Sequence, residues 1–218
     1  MLARSLGAGA AEADAVFADL DRRYREPHRH YHGWTHVAAC LRELAGTMPT
    51  AGAREPDVEL ALWFHDAVYD PRAMDNEERS AKLLQTAART MGVPARVASH
   101  AAAIVRATAH AAGGAAGTDP AIDLVLDIDL AILGAPAALF DAYQEAVRRE
   151  YGFLGEREWR AGRLVVLRGF LARPRIFLTD GFSARCEQAA RRNLARAIDA
   201  LNEPPGPQAP SGPSEPSR

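Results

Sequence analysis

The sequence predicts an all-α protein, a single compact bundle of about eight or nine helices. Three observations carry that expectation. Apolar residues recur at helical spacing along most of the chain, as in Leu139, Tyr143, Val147 and Tyr151. Two stretches, Leu60–Phe64 and Ile122–Ile132, are apolar nearly all round, as expected of central, buried helices. Proline and glycine fall between these segments, and the chain carries no internal repeat and no hairpin signal.

Taken in order, residues 11–25 read as an amphipathic helix through Ala15, Phe17, Leu20 and Tyr24. Pro27 and Gly33 interrupt regular structure, and a second helix runs from Trp34 to about Gly46 with Val37, Leu41 and Leu44 on one side. Residues 47–56 read as a loop. A third helix is expected from Pro56 to Val68, and a fourth opens at Asp75, where Asp75 and Glu78 form a plausible N-cap pair. Gly92 closes the fourth and Pro94 opens the fifth, which carries Val97, Ile104 and Val105 to about Thr108. A Gly/Ala loop spans residues 111–118. Asp119-Pro120 reads as an N-cap and first helical residue, and the segment to Ile132 follows, with strand as the competing reading for Leu124–Leu130. After Gly134 and Pro136 come the stripe already named, a helix over about 156–171 with Trp159, Val166, Leu167 and Phe170, and a last helix over 181–201 with Phe182, Cys186, Leu194, Ile198 and Leu201. Residues 1–202 thus form the folded domain. Residues 203–218 hold six prolines and too little apolar surface to order themselves, and read as a disordered tail.

Composition narrows the function classes. The chain has 218 residues, is 48 % hydrophobic and 25 % charged, and carries a formal net charge of −2. That balance excludes broad electrostatic attraction to nucleic acid or anionic membrane. No window reaches the roughly 18 apolar residues of a membrane span. Two cysteines, Cys40 and Cys186, lie far apart in predicted helices, and the first residues lack an apolar signal core. Both features favour a reducing cytoplasm.

The chemistry concentrates in a few places. Trp63-Phe64-His65-Asp66-Ala67-Val68-Tyr69 places a His-Asp pair among buried apolar residues. Burying that pair is costly unless it is partnered or binds a metal. Four of the seven histidines, His28, His30, His32 and His36, fall in one short segment. Asp127 and Asp129 lie in the second strongly apolar segment. Imidazoles and carboxylates together suit six-coordinate Mn, Mg, Fe, Co or Ni, or Zn, with open positions for water.

The order His36, His65-Asp66, Asp129 resembles the HD superfamily of metal-dependent phosphohydrolases. It is closest to a bacterial branch of predicted metal-dependent HD phosphohydrolases. The matching segments are Glu26–His32, Trp63–Tyr69, Asp75-Asn76-Glu77, Ser80-Ala81, Asp127–Gly134 and Arg148–Tyr151, spread over residues 24–201. The resemblance implies an HD-domain-like helical fold, one or two divalent metal ions, and hydrolysis of a phosphate ester. It implies His36, His65, Asp66 and Asp129 as metal ligands. Asp129 is chosen over Asp127 because the family has Asp-Leu at that place; Asp127 lies about 200° around the helix and reads as a supporting or capping group. Tyr31-His32-Gly33-Trp34-Thr35-His36 is also similar to the Tyr-His-Asn-x-x-His signature of cyclic nucleotide phosphodiesterases, though Gly33 stands where that signature has Asn. On that likeness His32 is the general acid; otherwise it is a surface or capping histidine. His110 is either a ligand of a second metal or a loop histidine. His28 and His30 read as structural or solvent-facing, and His100 as exposed. Glu77 is either a water-orienting acid or support for its helix start. Arg148 either grips a substrate phosphate or pairs with Glu145 or Glu150.

The expected activity is therefore metal-assisted hydrolysis of a small phosphorylated substrate, a nucleotide being one candidate. Asp66 or Glu77 would take the water's proton, and His32 would supply one to the leaving oxygen. Two rival readings remain at this level: a di-iron HD oxygenase, which needs more histidine ligands, and a non-catalytic nucleotide-binding protein. The sequence is silent on oligomeric state.

Overall fold

The computed structural model describes residues 9–47, 56–109, 117 and 119–203. Most of each of the two loops expected above, His110 and nearly all of the tail lie outside those residues. The described chain is all-helical. It comprises α1 (Ala10–Tyr24), α2 (Trp34–Thr47), α3 (Pro56–Phe64), α4 (Asn76–Thr90), α5 (Ala95–Ala107), α6 (Pro120–Asp129), a 3₁₀ segment (Leu130–Gly134), α7 (Ala137–Glu150), α8 (Glu156–Leu171) and α9 (Asp180–Asn202). Among the described residues, no helix is long and apolar enough to cross a membrane.

The short helix α3 is the hub. Val58, Leu60, Ala61, Leu62 and Phe64 are all buried, as the all-round apolar pattern requires. It packs against α2, α4, α5 and α6. The segment Leu124–Leu130 is helical rather than strand, and Val125, Leu126 and Ile128 join the same core. The last helix, α9, closes the bundle against α8 and the 3₁₀ segment. Two side chains fix that closure. Asp127 accepts the backbone N–H of Leu178 and of Thr179 and the Thr179 hydroxyl, each at 2.7 Å, just before α9 begins. Asn193 donates from α9 to the carbonyls of Leu133 and Ala135. Asp127 is thus the capping group expected of it.

Several local expectations fail for identifiable reasons. The third helix ends at Phe64, four residues short of Val68. Beyond it, tertiary partners take the backbone groups that another helical turn would use. The buried Arg29 guanidinium donates to the carbonyls of Asp66 and Ala67, and Ser80 bonds both the N–H and the carbonyl of Val68. Asp75 sits at the N-cap of α4 but makes no side-chain cap bond. Its expected partner Glu78 instead receives Arg106 of α5 at 2.5 Å. On α7, Leu139 faces solvent, and the buried face runs through Phe140, Ala146, Val147 and Glu150. On α8, Val166 is exposed while Arg163 is buried. Asp119 does cap α6 as expected, accepting the Ala121 N–H at 2.8 Å.

Candidate metal centre

Three segments deliver side chains to one buried point. The first turn of α2 supplies His36, and Cys40 lies one turn further on the same face. The turn after α3 supplies His65 and Asp66. The last residue of α6 is Asp129. Because α2, α3 and α6 pack against one another, side chains 93 residues apart meet: His36 Nε2 lies 3.1 Å from Asp129 Oδ1.

Four donor atoms converge. His36 Nε2 and His65 Nε2 are 3.0 Å apart. Asp66 Oδ2 lies 3.4 Å from His36 Nε2 and 3.2 Å from His65 Nε2, and Asp129 Oδ1 lies 3.7 Å from His65 Nε2. Ligand atoms bound at about 2.1 Å to one ion stand about 3.0–3.5 Å from each other, and all of these separations but the 3.7 Å one fall in that range. Asp66 Oδ2 is buried and has no hydrogen-bond partner. An orphaned carboxylate oxygen facing two imidazoles is costly in an apolar interior, and a metal ion would satisfy it. His65 Nδ1 bonds the Leu62 carbonyl at 3.0 Å. As donor there, His65 keeps its Nε2 lone pair for the cluster, the arrangement expected of a metal-binding histidine. His36, Cys40, His65 and Asp129 also form a group able to hold a metal ion. Cys40 Sγ is 3.8 Å from both His36 ring nitrogens. Sequence reading missed Cys40, although its spacing four residues after His36 places it on the same helical face.

The two carboxylates set the electrostatics of the pocket in the absence of an ion. Burial opposes charge on His65, but the neighbouring Asp66 and Asp129 outweigh it and lift its pKa to about 9. Burial likewise opposes charge on Asp66, yet His65, His32 and His36 hold it well below the ordinary carboxylate range. Burial, followed by Asp129 and Asp66, pushes the Cys40 thiol up.

His32 stands beside this cluster in an elaborate setting. Its Nδ1 donates to Glu150 Oε2 at 2.6 Å, and its ring stacks on Tyr69 with centroids 4.3 Å apart. Glu150 Oε1 accepts three successive backbone N–H groups, from His30, Tyr31 and His32, at 2.6–2.9 Å. The Tyr69 hydroxyl donates to Glu150 Oε2 at 2.8 Å. Burial of Glu150 is outweighed by His32 and those N–H groups, and its pKa falls to about 2. Burial of His32 is outweighed by Asp66 and Glu150, and its pKa rises. Arg29 completes the scaffold by joining the carbonyls of His32 and Asp66, so the histidine loop and the His65-Asp66 turn are held together. Sequence reading assigns Arg29 no role and Glu150 only that of a partner for Arg148, although both lie inside segments that carry the family resemblance.

The remaining candidates lie apart. Arg148 donates to the carbonyls of Tyr151 and Leu154, sits 3.5 Å from Glu156 and lies over Trp159. Its partner is neither Glu145 nor Glu150, and the guanidinium is engaged in closing the end of α7. Glu77 occupies the first turn of α4 and makes no hydrogen bond or ion pair among the described residues. His28 bonds the Tyr69 carbonyl at 2.9 Å, and the His30 side chain faces solvent. His100, expected to be exposed, is clamped between Asp57 at 2.6 Å and Asp119 at 2.7 Å. His110 falls outside the described residues. No protein-family model, curated protein or solved structure matches this chain.

Proposed function

We propose that this protein is a metal-dependent phosphohydrolase acting on a small phosphate ester, with an HD-type site built from His36, His65, Asp66 and Asp129. The observation that carries the reading is the convergence of those four donor atoms around the orphaned Asp66 oxygen, with His32 presented alongside. A divalent ion of the Mn, Mg, Fe, Co, Ni or Zn class would supply a water acidified toward neutral pH and a counter-charge for phosphoryl oxygens.

The chain's own residues then divide the work. Asp66, held ionised by its histidine neighbours, accepts a proton at its carboxylate from the attacking water. His32 is positioned through Nδ1 by Glu150, which leaves its Nε2 as the edge that donates a proton to the leaving oxygen. Glu150 remains ionised and fixes the tautomer without itself exchanging protons. Two half-buried tyrosines pack against the imidazoles: the Tyr31 ring lies 4.8 Å from the His36 ring, and Tyr69 stacks on His32. The His32–Glu150 dyad favours catalysis over passive nucleotide binding. The free, buried thiols of Cys40 and Cys186 suit a reducing cytoplasm.

A panel of phosphate monoesters and diesters, nucleotides included, assayed with each of these metals tests the reading. Metal-dependent phosphate ester hydrolysis by the wild type, abolished in Asp66→Asn, is the expected result. Hydrolysis that is absent with every metal, or equal in the variant, refutes it; oxygen uptake with iron would install the oxygenase instead.

A further inference from the structure

An open cleft of about 500 Å³ lies beside Tyr69 and Glu150, which line it and also contact His32. Four arginines are among its lining residues, Arg23, Arg72, Arg79 and Arg149. This is a local excess in a chain whose net charge is −2. Three carboxylates, Glu26, Asp70 and Glu150, stand in the same wall, fewer than the arginines, and each already has partners. Glu26 is held by Arg29 at 3.0 Å, and Glu150 is saturated by three backbone N–H groups, Tyr69 and His32. Asp70 caps its own turn by accepting the Arg72 backbone N–H.

The cations differ in how free they are. Arg23 is engaged with Asp19 at 2.8 Å. Arg79 reaches an exposed Asp75 only at 3.7 Å, a contact of little energetic weight. Arg149 is exposed and makes no ion pair or side-chain hydrogen bond among the described residues. Arg72 has no carboxylate partner for its side chain there either; its guanidinium lies 4.1 Å over the Phe153 ring. Like charges gathered around a concavity raise its potential and favour an anion. A planar guanidinium presents paired N–H donors that match phosphate oxygens. The cleft falls in the size range of small-molecule sites, about 300–1,000 Å³. Its half-exposed Phe153 offers a flat apolar surface beside the charges.

We propose that this cleft is a second, metal-independent anion site that binds a phosphate group through Arg72, Arg79 and Arg149. Free phosphate and the phosphate of a small ester present the same chemistry to these three side chains. Phe153 distinguishes them, because only an ester with an aromatic or apolar body gains from the ring. The inference stands whether or not the metal centre hydrolyses anything.

Isothermal titration of the full chain with inorganic phosphate, and separately with adenosine monophosphate, in buffer containing a chelator tests it. Wild type and Asp66→Asn should bind alike. Arg149→Gln and Arg72→Gln should each weaken binding by about tenfold or more, the worth of one charge-assisted hydrogen bond. Phe153→Ala should weaken the nucleotide more than inorganic phosphate if the ester is the physiological source, and neither if free phosphate is. Circular dichroism melts verify that these surface variants remain folded. The proposal is overturned if neither probe binds at millimolar concentration, if the arginine variants bind as the wild type does, or if Asp66→Asn removes binding and so relocates it to the metal centre.

Discussion

At the scale of single residues, Glu150 determines the most. One carboxylate oxygen ties down three consecutive backbone N–H groups, and the other orients His32. Its contacts span 118–120 residues of sequence, so no local pattern could have revealed them. His36 and His65 were legible because buried imidazoles beside apolar residues need a reason to be there; Cys40 was not, because a buried cysteine ordinarily needs none. The division of labour between two histidines four residues apart is open to test. His36→Ala should lose metal and activity together. His32→Ala should keep the metal and lose roughly 10²–10⁴ in rate, with a smaller loss for a nitrophenyl ester whose leaving group needs no proton. Loss of metal from His32→Ala with retention in His36→Ala would reverse the two assignments.

At the scale of elements, periodicity located every helix among the described residues but not the end of α3. That end is set by Arg29 and Ser80 bonding to the chain beyond Phe64, and it is what frees His65 and Asp66 to turn toward the cluster. The 3₁₀ segment after Asp129 is positioned by its fit against α9. A Cβ on Gly134 would meet Cys186 Cβ at 2.6 Å and its Cα and carbonyl oxygen at 3.0 Å. Gly134→Ala should therefore destabilise the fold by about 1–3 kcal/mol, read from urea denaturation; an unchanged midpoint would show that the two elements part freely.

The clamp of His100 between α3, α5 and α6 gives a pH signature. Hydrogen bonds to Asp57 and then Asp119 raise His100 above its ordinary 6.5. Its contribution to stability is therefore complete below pH 6.5 and is lost as pH rises through the raised value. The bond from His100 and the Ala121 N–H lower Asp119 from 3.8, so its contribution is present above 3.8 and is lost as pH falls through the lowered value. The difference in melting temperature between wild type and His100→Ala should be widest between pH 3.8 and 6.5 and should shrink on the alkaline side. A gap that widens above pH 8 would contradict the clamp.

At the scale of the whole molecule, the candidate centre is where the fold is cross-linked. Its donors come from α2, the turn after α3 and the end of α6, which the shared core holds together around α3. An ion bound there would also join segments far apart in the chain, and binding to the native state alone stabilises by about 2.7 kcal/mol at a hundredfold excess over Kd. The fold class was legible because helical periodicity and apolar-all-round segments are local properties of sequence. The assembly of the site was legible only through the order of its residues, since the distances that unite them arise from packing. Elemental analysis after exhaustive dialysis, on wild type, His65→Ala and Asp66→Ala side by side, tests the metal centre most directly. The wild type should retain at least one divalent ion per chain and both variants should lose most of it; equal metal in all three would contradict the assignment.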